Sequence, residues 1–479
     1  MFQWNWNSVA AECTAFLGPA GYGFVQVSPA QESISGAQWS TSYSPVSYII
    51  DNKLGTRDEY AAMVTACHDA GVLVIADAVL NHMSGSAFNE PGDAAGSTFT
   101  YYDYPAVPWV DSNFHYCGDV DSAGDVNWVD DYTNRTNVQE CQLGGLADLA
   151  TDTAAVRTRQ AAYLNDLVSL GVDGFRFDAA TWIAAADLAS IIGQLTKKPT
   201  YVTQEVDFRR LISRLACLTT LFRPIGSKTA PSFLRSTQAT EFRYVVALQA
   251  AFSGSSSSIS TLENLNSEGW VDGSKANVFV ATHDTERDGT SLIYSSPHNT
   301  YITASVFSLA HSYGTPTILS SYSFTDTNAG APNSNAGVCS GTGGSDGWNC
   351  QHRYVAISGM VGFHNTAGSA AMVHWVAGSD QQIAFGRGSV AFVAINNDVE
   401  PWSQAFATSL PAGIYCDVIH GSVASGVCSS VAYTVSSSGT LTMTVPARDA
   451  IAVHTNAVVA ASTVSAVTFN EVETTSNGG

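Results

Sequence analysis

The sequence predicts an α/β fold, in which helices cover a parallel β-sheet, followed by a separate antiparallel β-domain. Short, almost continuously apolar segments alternate with helical patterns over about the first 370 residues. Strands of this kind are typical of a parallel sheet that is buried on both faces. After residue 371 the helical patterns stop, and apolar and polar residues alternate with a period of two, as in antiparallel strands. This pattern leaves open a closed barrel or a large doubly wound sheet.

Six segments are predicted as the parallel strands, because each is short, apolar and flanked by turn residues. The segment "RDEYAAMVTACHDAG" (57–71) carries a clear helical pattern, and similar patterns separate most of the strands. In chain order the predicted strands are residues 21–29, 72–79, 172–179, 201–206, 277–284 and 315–321.

Residues 83–150 interrupt this alternation, since they are rich in Gly, Asp, Asn and Tyr and contain no long helical pattern. An insertion between a strand and its helix explains them. The sheet and its helices would then comprise residues 1–82 and 151–370, and the antiparallel domain residues 371–455. Residues 456–479, rich in Val, Ser and Thr, are predicted to be a linker.

The composition excludes several classes of partner. The 479 residues are 45% apolar and 13% charged, as in compact globular proteins. The formal net charge of −21 disfavours binding to nucleic acid or to an anionic membrane, because both need clustered Lys and Arg. No apolar run is long enough to predict a transmembrane helix. A neutral substrate or a cation fits this charge better.

The nine cysteines favour disulfide bonds formed in an oxidising compartment. No C-x-x-C pair indicates a zinc site. We therefore expect a secreted, extracellular protein. The chain opens on "MFQWNWNSVA", which contains no signal peptide, and we infer that the natural N-terminus is missing.

Three predicted strands end in carboxylates, namely Asp178, Glu205 and Asp284. In a parallel barrel the carboxyl ends of the strands meet at one face, where active sites lie. A single Asp at a strand end more often caps the next helix, but three together, with Arg176 and His283 close by, indicate a site. Cleavage of a glycosidic bond needs one ionised and one protonated carboxyl group, which this set can supply.

Four motifs, in this order, resemble those of the α-amylases of the large starch-degrading glycoside hydrolase family, particularly its animal-like and actinobacterial-like branch. They are "DAVLNH" (77–82), "GFRFDAA" (174–180), "QEV" (204–206) and "FVATHD" (279–284). The resemblance covers roughly residues 1–455. It implies a (β/α)8 TIM barrel with a calcium-binding loop insertion after the third strand and a C-terminal antiparallel β-sandwich.

The resemblance also implies an endo-acting α-amylase, which hydrolyses α-1,4-glucosidic bonds of starch with retention. Asp178 would be the nucleophile, Glu205 the acid–base group and Asp284 a third acid that binds sugar hydroxyls. In retaining enzymes the two reacting carboxyl groups lie roughly 5–5.5 Å apart. Arg176 shares the inner face of its strand with Asp178, and its charge is expected to keep that carboxylate ionised.

Further substrate contacts follow from the same resemblance. His82 and His283 match histidines that hydrogen-bond the sugar being cleaved, and Trp39 and Tyr43 match aromatic residues that stack on sugar rings. Ser40 stands where relatives often carry a second tryptophan, so one stacking surface is expected to be lost. The expected partner is starch or a maltooligosaccharide, bound by a monomer.

A calcium site is implied as well. Its ligands would be the side-chain oxygens of Asn81 and Asp148 and the backbone carbonyls of Gln139 and Trp182. Calcium prefers hard oxygen ligands of this kind.

Many animal-like relatives also bind chloride, through an Arg, an Asn and a distal basic residue. Arg176 is present here, but Thr282 replaces the Asn, and Ser323 stands at the position assigned to the distal basic residue. A chloride requirement is therefore not expected.

The resemblance pairs eight cysteines, as Cys13–Cys67, Cys117–Cys141, Cys339–Cys350 and Cys416–Cys428. It leaves Cys217, which lies in "DFRRLISRLACLTTLFRP" (207–224), a segment unlike that of relatives. A specificity loop, an amphipathic surface helix or a translated intron would each explain this segment.

Two functional alternatives follow. A maltooligosaccharide-forming or transglycosylating relative would use the same acids, and a catalytically impaired starch-binding protein would result if residues 207–224 disturb Glu205. Residues 464–479 resemble the opening strand of a starch-binding module, so the linker would lead into a truncated module.

Overall fold

The computed structural model describes residues 1–85, 95–118, 124, 126–207 and 238–460. Most of the segment 207–224, with Cys217, and the predicted linker beyond residue 460 lie outside the described residues.

A curled sheet of seven parallel strands forms the centre of the N-terminal part of the chain. Its strands are β1 (Phe24–Val27), β2 (Leu73–Ala78), β5 (Gly174–Phe177), β6 (Tyr201–Gln204), β7 (Gln238–Thr240), β8 (Ala276–Val278) and β9 (Thr315–Pro316). Neighbours in the sheet follow this same order, and all pairs are parallel. Five of the predicted strand segments contain one of them, and the sixth, 277–284, overlaps β8. Because β8 ends at Val278, Asp284 does not end a strand as predicted but directly precedes a short helix. The sequence analysis missed β7, a three-residue strand of Gln, Ala and Thr that has no apolar run.

The first residues of the chain close this sheet. The amino group of Met1 donates to the carbonyl of Gln26 in β1 at 2.8 Å. The N–H of Phe2 donates to the carbonyl of Ser320, beyond β9, at 3.0 Å. Residues 1–3 therefore connect the two edges of the sheet, and the (β/α)8 barrel expected from the resemblance is confirmed.

Helices cover the outside of the barrel. Two of the longest begin with hydroxyl caps: Thr56 and Glu59 form a capping box at α3, and Thr153 caps α5. No helix among the described residues is both long and apolar enough to cross a membrane. The helices are α1 (Trp6–Glu12), α2 (Gly18–Ala20), α3 (Arg57–Asp69), α4 (Arg135–Glu140), α5 (Ala154–Ser169), α6 (Ala185–Gly193), α7 (Phe242–Ser253), α8 (Thr285–Asp288), α9 (Thr300–Ala310) and α10 (Val355–Ala367).

The chain leaves the barrel after β2 and returns before α5. Strands β3 (His82–Gly85) and β4 (Leu146–Asp148) pair in antiparallel fashion where it leaves and returns. A separate cluster of buried side chains fills the excursion, and it includes Phe99, Tyr104 and Trp109. Barrel residues such as Ile34 and Val156 belong to the same cluster, so the excursion packs around a core that it shares with the barrel.

Two antiparallel sheets form the C-terminal sandwich. The four-stranded sheet has the order β12-β13-β14-β21 and the five-stranded sheet the order β15-β20-β19-β16-β22, and their facing sides share one buried core. Short hairpins, β10–β11 and β17–β18, complete the strands. Their bounds are β10 (Cys339–Ser340), β11 (Gly343–Gly344), β12 (Met372–Ser379), β13 (Gln382–Arg387), β14 (Ala391–Asn396), β15 (Trp402–Ala407), β16 (Gly413–Cys416), β17 (Val423–Ala424), β18 (Val427–Cys428), β19 (Ala432–Val435), β20 (Thr440–Val445), β21 (Asp449–His454) and β22 (Val458–Val459).

The sandwich is packed firmly against the barrel. Phe307 of α9 and Met360 of α10 belong to the same buried cluster as Phe385 of β13 and Val393 of β14. Barrel helices and the four-stranded sheet thus share an apolar core, which makes the sandwich a structural support for this side of the barrel.

Four disulfide bonds join the cysteine pairs that the resemblance implied. They link loops and helices in the barrel, the excursion and the sandwich, and each constrains the unfolded chain. The bonds are Cys13–Cys67, Cys117–Cys141, Cys339–Cys350 and Cys416–Cys428.

A histidine links the two sheets of the sandwich. His420 Nδ1 lies 2.6 Å from Asp417 Oδ2, just after β16, and His420 Nε2 lies 2.9 Å from Asp449 Oδ2 in β21. The hydrogen bonds to Asp417 and Asp449 raise the pKa of His420 to about 10. The charged imidazolium therefore stabilises the fold fully below its ordinary pKa of about 6.5, and this stabilisation is lost as the pH rises towards 10.

We predict that His420→Gln lowers the melting temperature at pH 6 and that the difference from the parent chain narrows progressively between pH 7 and pH 10. Thermal denaturation followed by circular dichroism across this range measures it. His374→Gln is the control, because His374 is exposed and bonds the hydroxyl of Ser409 instead of a carboxylate. A difference that stays constant with pH would contradict the charged bridge.

Candidate active site

Four charged side chains lie at the carboxyl ends of three adjacent strands. Asp77 on β2 is the direct register partner of Arg176 on β5. Strand β5 ends immediately before Asp178, and the adjacent strand β6 ends immediately before Glu205. Because the strands are parallel and in register, all four side chains lie at the same face of the barrel.

Arg176 binds three carboxylates. Its Nη1 lies 2.7 Å from Asp77 Oδ1 and 2.7 Å from Asp178 Oδ1, and its Nη2 lies 3.0 Å from Glu205 Oε2. The arginine side chain is only 7% exposed. Burial opposes its charged form, but the adjacent carboxylates outweigh burial and raise the pKa of Arg176 well above its ordinary value. The guanidinium is thus a permanent cation within a buried acidic group.

The expectation that Arg176 keeps Asp178 ionised does not hold in its simple form. Burial raises the pKa of Asp178 well above its ordinary value, and the charge of Arg176 opposes this rise only in part. The negative charges of Glu205 and Asp77 raise it further. Because the one positive charge of Arg176 is shared by three carboxylates, it compensates the burial of Asp178 only in part.

The backbone beside Asp178 holds Glu205 in place. Ala179 has a φ of 49°, in the left-handed region that a residue with a side chain rarely adopts. In this conformation its N–H donates to Glu205 Oε2 at 2.8 Å. Glu205 Oε2 therefore accepts from Ala179 and from Arg176, which holds the carboxyl group next to Asp178.

An aromatic wall, which we define as Phe2, Trp39, Tyr43 and His283, stands beside the carboxylates. The His283 ring is stacked between Phe2, with centroids 4.6 Å apart, and Tyr43, with centroids 5.3 Å apart. Trp39 meets the same ring nearly edge-on at 5.5 Å. Burial lowers the pKa of His283 well below its ordinary value, so the ring is neutral. Its Nε2 lies 3.3 Å from Asp284 Oδ2.

Tyr43 and His82 join this wall to the acidic group. The Tyr43 hydroxyl donates to Asp77 Oδ2 at 2.9 Å, and His82 Nε2 lies 3.0 Å from the Tyr43 carbonyl. Burial lowers the pKa of His82 to about 4. Since a carbonyl can only accept a hydrogen bond, the neutral His82 carries its proton on Nε2 and donates a hydrogen bond to the carbonyl of Tyr43.

All eight catalytic and substrate-binding residues predicted from the sequence belong to one connected group. A cavity of about 350 Å³ inside the barrel reaches this group. Five of the eight line this cavity, and the other three contact those five through the hydrogen bonds and ring contacts given above. The lining residues are Tyr43, Arg176, Glu205, His283 and Asp284.

The sequence analysis missed three participants. Asp77 opens the motif "DAVLNH" and ends a strand, so its position did carry a signal. Arg287, three residues beyond the last motif, lies against the aromatic wall with its guanidinium carbon 5.3 Å from the Trp39 ring. Phe2 carried no signal, because only the closure of the barrel brings the start of the chain to His283.

Two of the proposed calcium ligands are buried together. Asn81 and Asp148 are each 1% exposed, and Asn81 Nδ2 lies 3.1 Å from Asp148 Oδ1. Asp148 Oδ2 contacts His115 Nδ1 at 2.7 Å, and burial raises the pKa of Asp148 to about 7. A cation beside this buried carboxylate would offset its desolvation, and the oxygen donors suit calcium.

The other two proposed ligands also lie near each other. The side chain of Gln139 in α4 donates to the carbonyl of Ile183, the residue after Trp182, at 3.4 Å. Val138 and Trp182 pack in the same apolar cluster. The negative charge of Glu140, next to Gln139, is close enough to Asp148 to raise its pKa. The donor set therefore fits a calcium ion between the excursion and the barrel.

A second group with potential metal ligands lies elsewhere and is already satisfied. Glu12, Cys339 and His352 approach one another within the described part of the chain. Cys339 is bound to Cys350 in a disulfide, and Glu12 accepts hydrogen bonds from Arg353 at 2.6 Å. This group is an internal ion pair.

Ser323, the residue assigned to the distal chloride position, has hydrogen-bond partners within the protein. Its hydroxyl contacts Tyr294 at 3.1 Å and donates to Asn349 at 2.9 Å. Thr317, which is also uncharged, lines the cavity together with Arg176. Since neither residue carries a positive charge, the expectation of no chloride requirement is unaffected.

Two carboxyl groups that bind the same guanidinium at the carboxyl ends of barrel strands are compatible with the chemistry of a retaining glycoside hydrolase. Similarity to known proteins gives the family. Residues 35–211 match the family model "Alpha amylase, catalytic domain", and residues 374–456 match "Alpha amylase, C-terminal all-beta domain".

Curated relatives and solved structures agree with these matches. An α-amylase of Streptomyces violaceus is 43% identical over 468 residues, which cover 97% of this chain and 74% of the relative. An α-amylase of Tenebrio molitor is 36% identical over 474 residues, covering 95% and 96%. The structure of α-amylase I from Eisenia fetida, 30% identical, has a TM-score of 0.81 and covers 95% and 96%. This chain belongs to the α-amylase family.

Proposed function

We propose that this chain hydrolyses internal α-1,4-glucosidic bonds of starch and related glucans with retention of the anomeric configuration. The observation that carries the proposal is the pair Asp178 and Glu205, held side by side on one guanidinium. Membership of the α-amylase family supports it. So does the Eisenia fetida relative, a mutant of which was crystallised with maltohexaose.

The first chemical step is the attack of Asp178 on the anomeric carbon. The bond to the leaving sugar breaks as the new carbon–oxygen bond forms, and Glu205 donates its proton to the departing oxygen. Arg176 and the N–H of Ala179 hold the two carboxyl groups in position.

In the second step the now ionised Glu205 takes a proton from water. The resulting hydroxide attacks the glycosyl-enzyme from the side that the leaving sugar vacated, and Asp178 is released as a carboxylate. Two displacements at the same carbon restore the original configuration. Asp77, through its bonds to Arg176 and Tyr43, positions the acidic group without reacting.

The aromatic wall and the polar residues next to it would bind the substrate. Trp39 and Tyr43 offer ring faces to the apolar faces of glucose. The neutral rings of His82 and His283 and the carboxylate of Asp284 can bond sugar hydroxyls. A neutral, hydrogen-bonding groove of this kind suits an uncharged glucan.

The division into domains follows the same assignment. Residues 1–82 and 151–370 would form the catalytic barrel, 83–150 the inserted domain and 371–455 the C-terminal sandwich. Four disulfides favour an oxidising, extracellular location, and the chain is proposed to act as a monomer.

Calcium binding is general in this family. We propose that Asn81 and Asp148, through side-chain oxygens, and Gln139 and Trp182, through their carbonyls, would hold the ion here. When bound, it would supply positive charge and fix the inserted domain against the barrel. The residues themselves keep His82, next to Asn81, in its place beside Tyr43.

The nucleophile assignment predicts that Asp178→Asn lowers the turnover of soluble starch by roughly 10⁴-fold or more, because a near-isosteric amide cannot form the glycosyl-enzyme. A reducing-sugar assay measures this. The matched control is Asp173→Asn, because Asp173 lies at the opposite end of the same strand, bonded to His68 and to the N–H of Val74, and should remain active. Activity above a few per cent in Asp178→Asn would refute the assignment.

The same assay on the parent chain tests the function itself. Nuclear magnetic resonance of the first products should show the α-anomer. Products longer than a maltooligosaccharide substrate would favour the transglycosylating alternative. Starch binding without new reducing ends would favour an impaired protein, and repeating the assay without residues 208–224 would show whether that segment is the cause.

For calcium, we predict that a chelator lowers the melting temperature by several degrees and that added calcium, but not magnesium, restores it. An ion that binds only the folded state stabilises it by about 2.7 kcal/mol at a concentration of about 100 Kd. Asp148→Asn should abolish the response to calcium. An unchanged melting temperature after chelation, with no metal found by elemental analysis, would rule out the site.

For chloride, we predict that activity is unchanged when chloride is replaced by gluconate at constant ionic strength, which keeps general screening constant. Arg176 already binds three carboxylates, and Thr282 and Thr317 add no positive charge to attract an anion. Several-fold activation by chloride would show that an anion does compete for Arg176.

A further inference from the structure

A buried ion pair lies directly behind the aromatic wall. Glu286 and Arg287 follow Asp284 in the short helix α8, and their side chains are 2% and 5% exposed. They bind each other, and Glu286 Oε2 also accepts from the Ser321 hydroxyl at 2.9 Å. Burial of such a pair costs desolvation free energy unless the pair is well hydrogen-bonded. An ion pair buried at this position therefore suggests a role in the site.

The guanidinium of Arg287 is surrounded by aromatic rings. Its central carbon lies 4.9 Å from the ring centroid of Phe2, 5.3 Å from Trp39, 5.2 Å from Tyr322 and 4.5 Å from Phe324. A guanidinium attracts aromatic faces at these distances. Two of the four rings, Phe2 and Trp39, belong to the aromatic wall, so Arg287 holds the wall from the side opposite the cavity.

Arg287 also acts on the histidine of the wall through the backbone. Its Nη1 donates to the carbonyl of His283 at 2.7 Å. The His283 ring is stacked between Phe2 and Tyr43, and it is followed in the chain by Asp284. A single side chain therefore contacts three of the four members of the wall.

We propose that Arg287, anchored by Glu286, is a positioning residue that fixes Trp39, Phe2 and His283 for binding of the sugar chain. The inference rests on the proposed function for the identity of the ligand. Trp39 is only partly buried, and it is held by Arg287 and by its Nε1 bond to the Thr327 carbonyl at 2.8 Å.

The test replaces the guanidinium with a neutral side chain of similar length. Arg287→Gln should raise the KM for maltohexaose about tenfold, since cation–π contacts and a lost backbone bond are together of this size. Turnover should fall much less, because the wall binds the ground state and the transition state alike. Arg287→Lys, which keeps the charge opposite Glu286, should restore part of the loss.

The matched control is Arg353→Gln. Arg353 also pairs with a buried glutamate, Glu12, at 2.6 Å, and lies 4.8 Å from one aromatic ring, Phe16. A purely structural loss lowers the amount of active enzyme, so it reduces the apparent kcat and leaves KM unchanged. That result is expected for Arg353→Gln, and the same result for Arg287→Gln would overturn the proposal.

A second readout is independent of any activity. Acrylamide quenching of Trp39 fluorescence, obtained as the difference between each chain and its Trp39→Phe variant, should increase in Arg287→Gln, because the ring is released to solvent. This change would support the positioning role even if the parent chain did not hydrolyse starch, which would refute only the proposed function. Unchanged quenching of Trp39 would overturn the role of Arg287.

Discussion

The guanidinium of Arg176 lies between the carboxylates of Asp77, Asp178 and Glu205, at the ends of three adjacent strands of the barrel. Three acids cannot be buried together without a cation, because the desolvation of each costs several kcal/mol. The arrangement depends in turn on the parallel register of β2, β5 and β6, which brings Asp77 level with Arg176 and places the next two acids immediately beyond the strand ends. The placement of the reacting groups therefore depends on the register of the sheet.

Closure of the barrel and construction of the site use the same residues. The backbone of Phe2 bonds to Ser320 at the far edge of the sheet, while its ring stacks on His283. The guanidinium of Arg287 contacts the ring of Phe2. The aromatic wall is consequently part of the contacts that close the barrel. A substitution that weakens these contacts is expected to displace the residues proposed to bind the sugar as well. Tyr43, which bonds to Asp77, connects this wall to the acidic group.

The excursion after β2 and the C-terminal sandwich support the barrel in different ways. The excursion shares an apolar core with barrel residues such as Ile34 and Val156, and it returns to the barrel at the polar contact between Asn81 and Asp148. The sandwich shares a continuous apolar core with α9 and α10, and its two sheets are tied by the charged His420. The first attachment therefore combines polar contacts with apolar packing, and the second depends mainly on apolar packing.

By itself the sequence determined the alternation of strands and helices, the two kinds of sheet and the acids at the strand ends. These follow from local patterns, because apolar periodicity reports burial and the carboxyl ends of parallel strands share one face. Strand β7 escaped prediction, because its three residues have no apolar run. The ionisation of Asp178 could not be read from its neighbour Arg176, since it depends on burial and on how many acids share that cation. The contacts of Phe2 with His283 and of Arg287 with Phe2 and Trp39 were decided only by the tertiary structure, because these residues are far apart in the chain and meet only when the barrel closes.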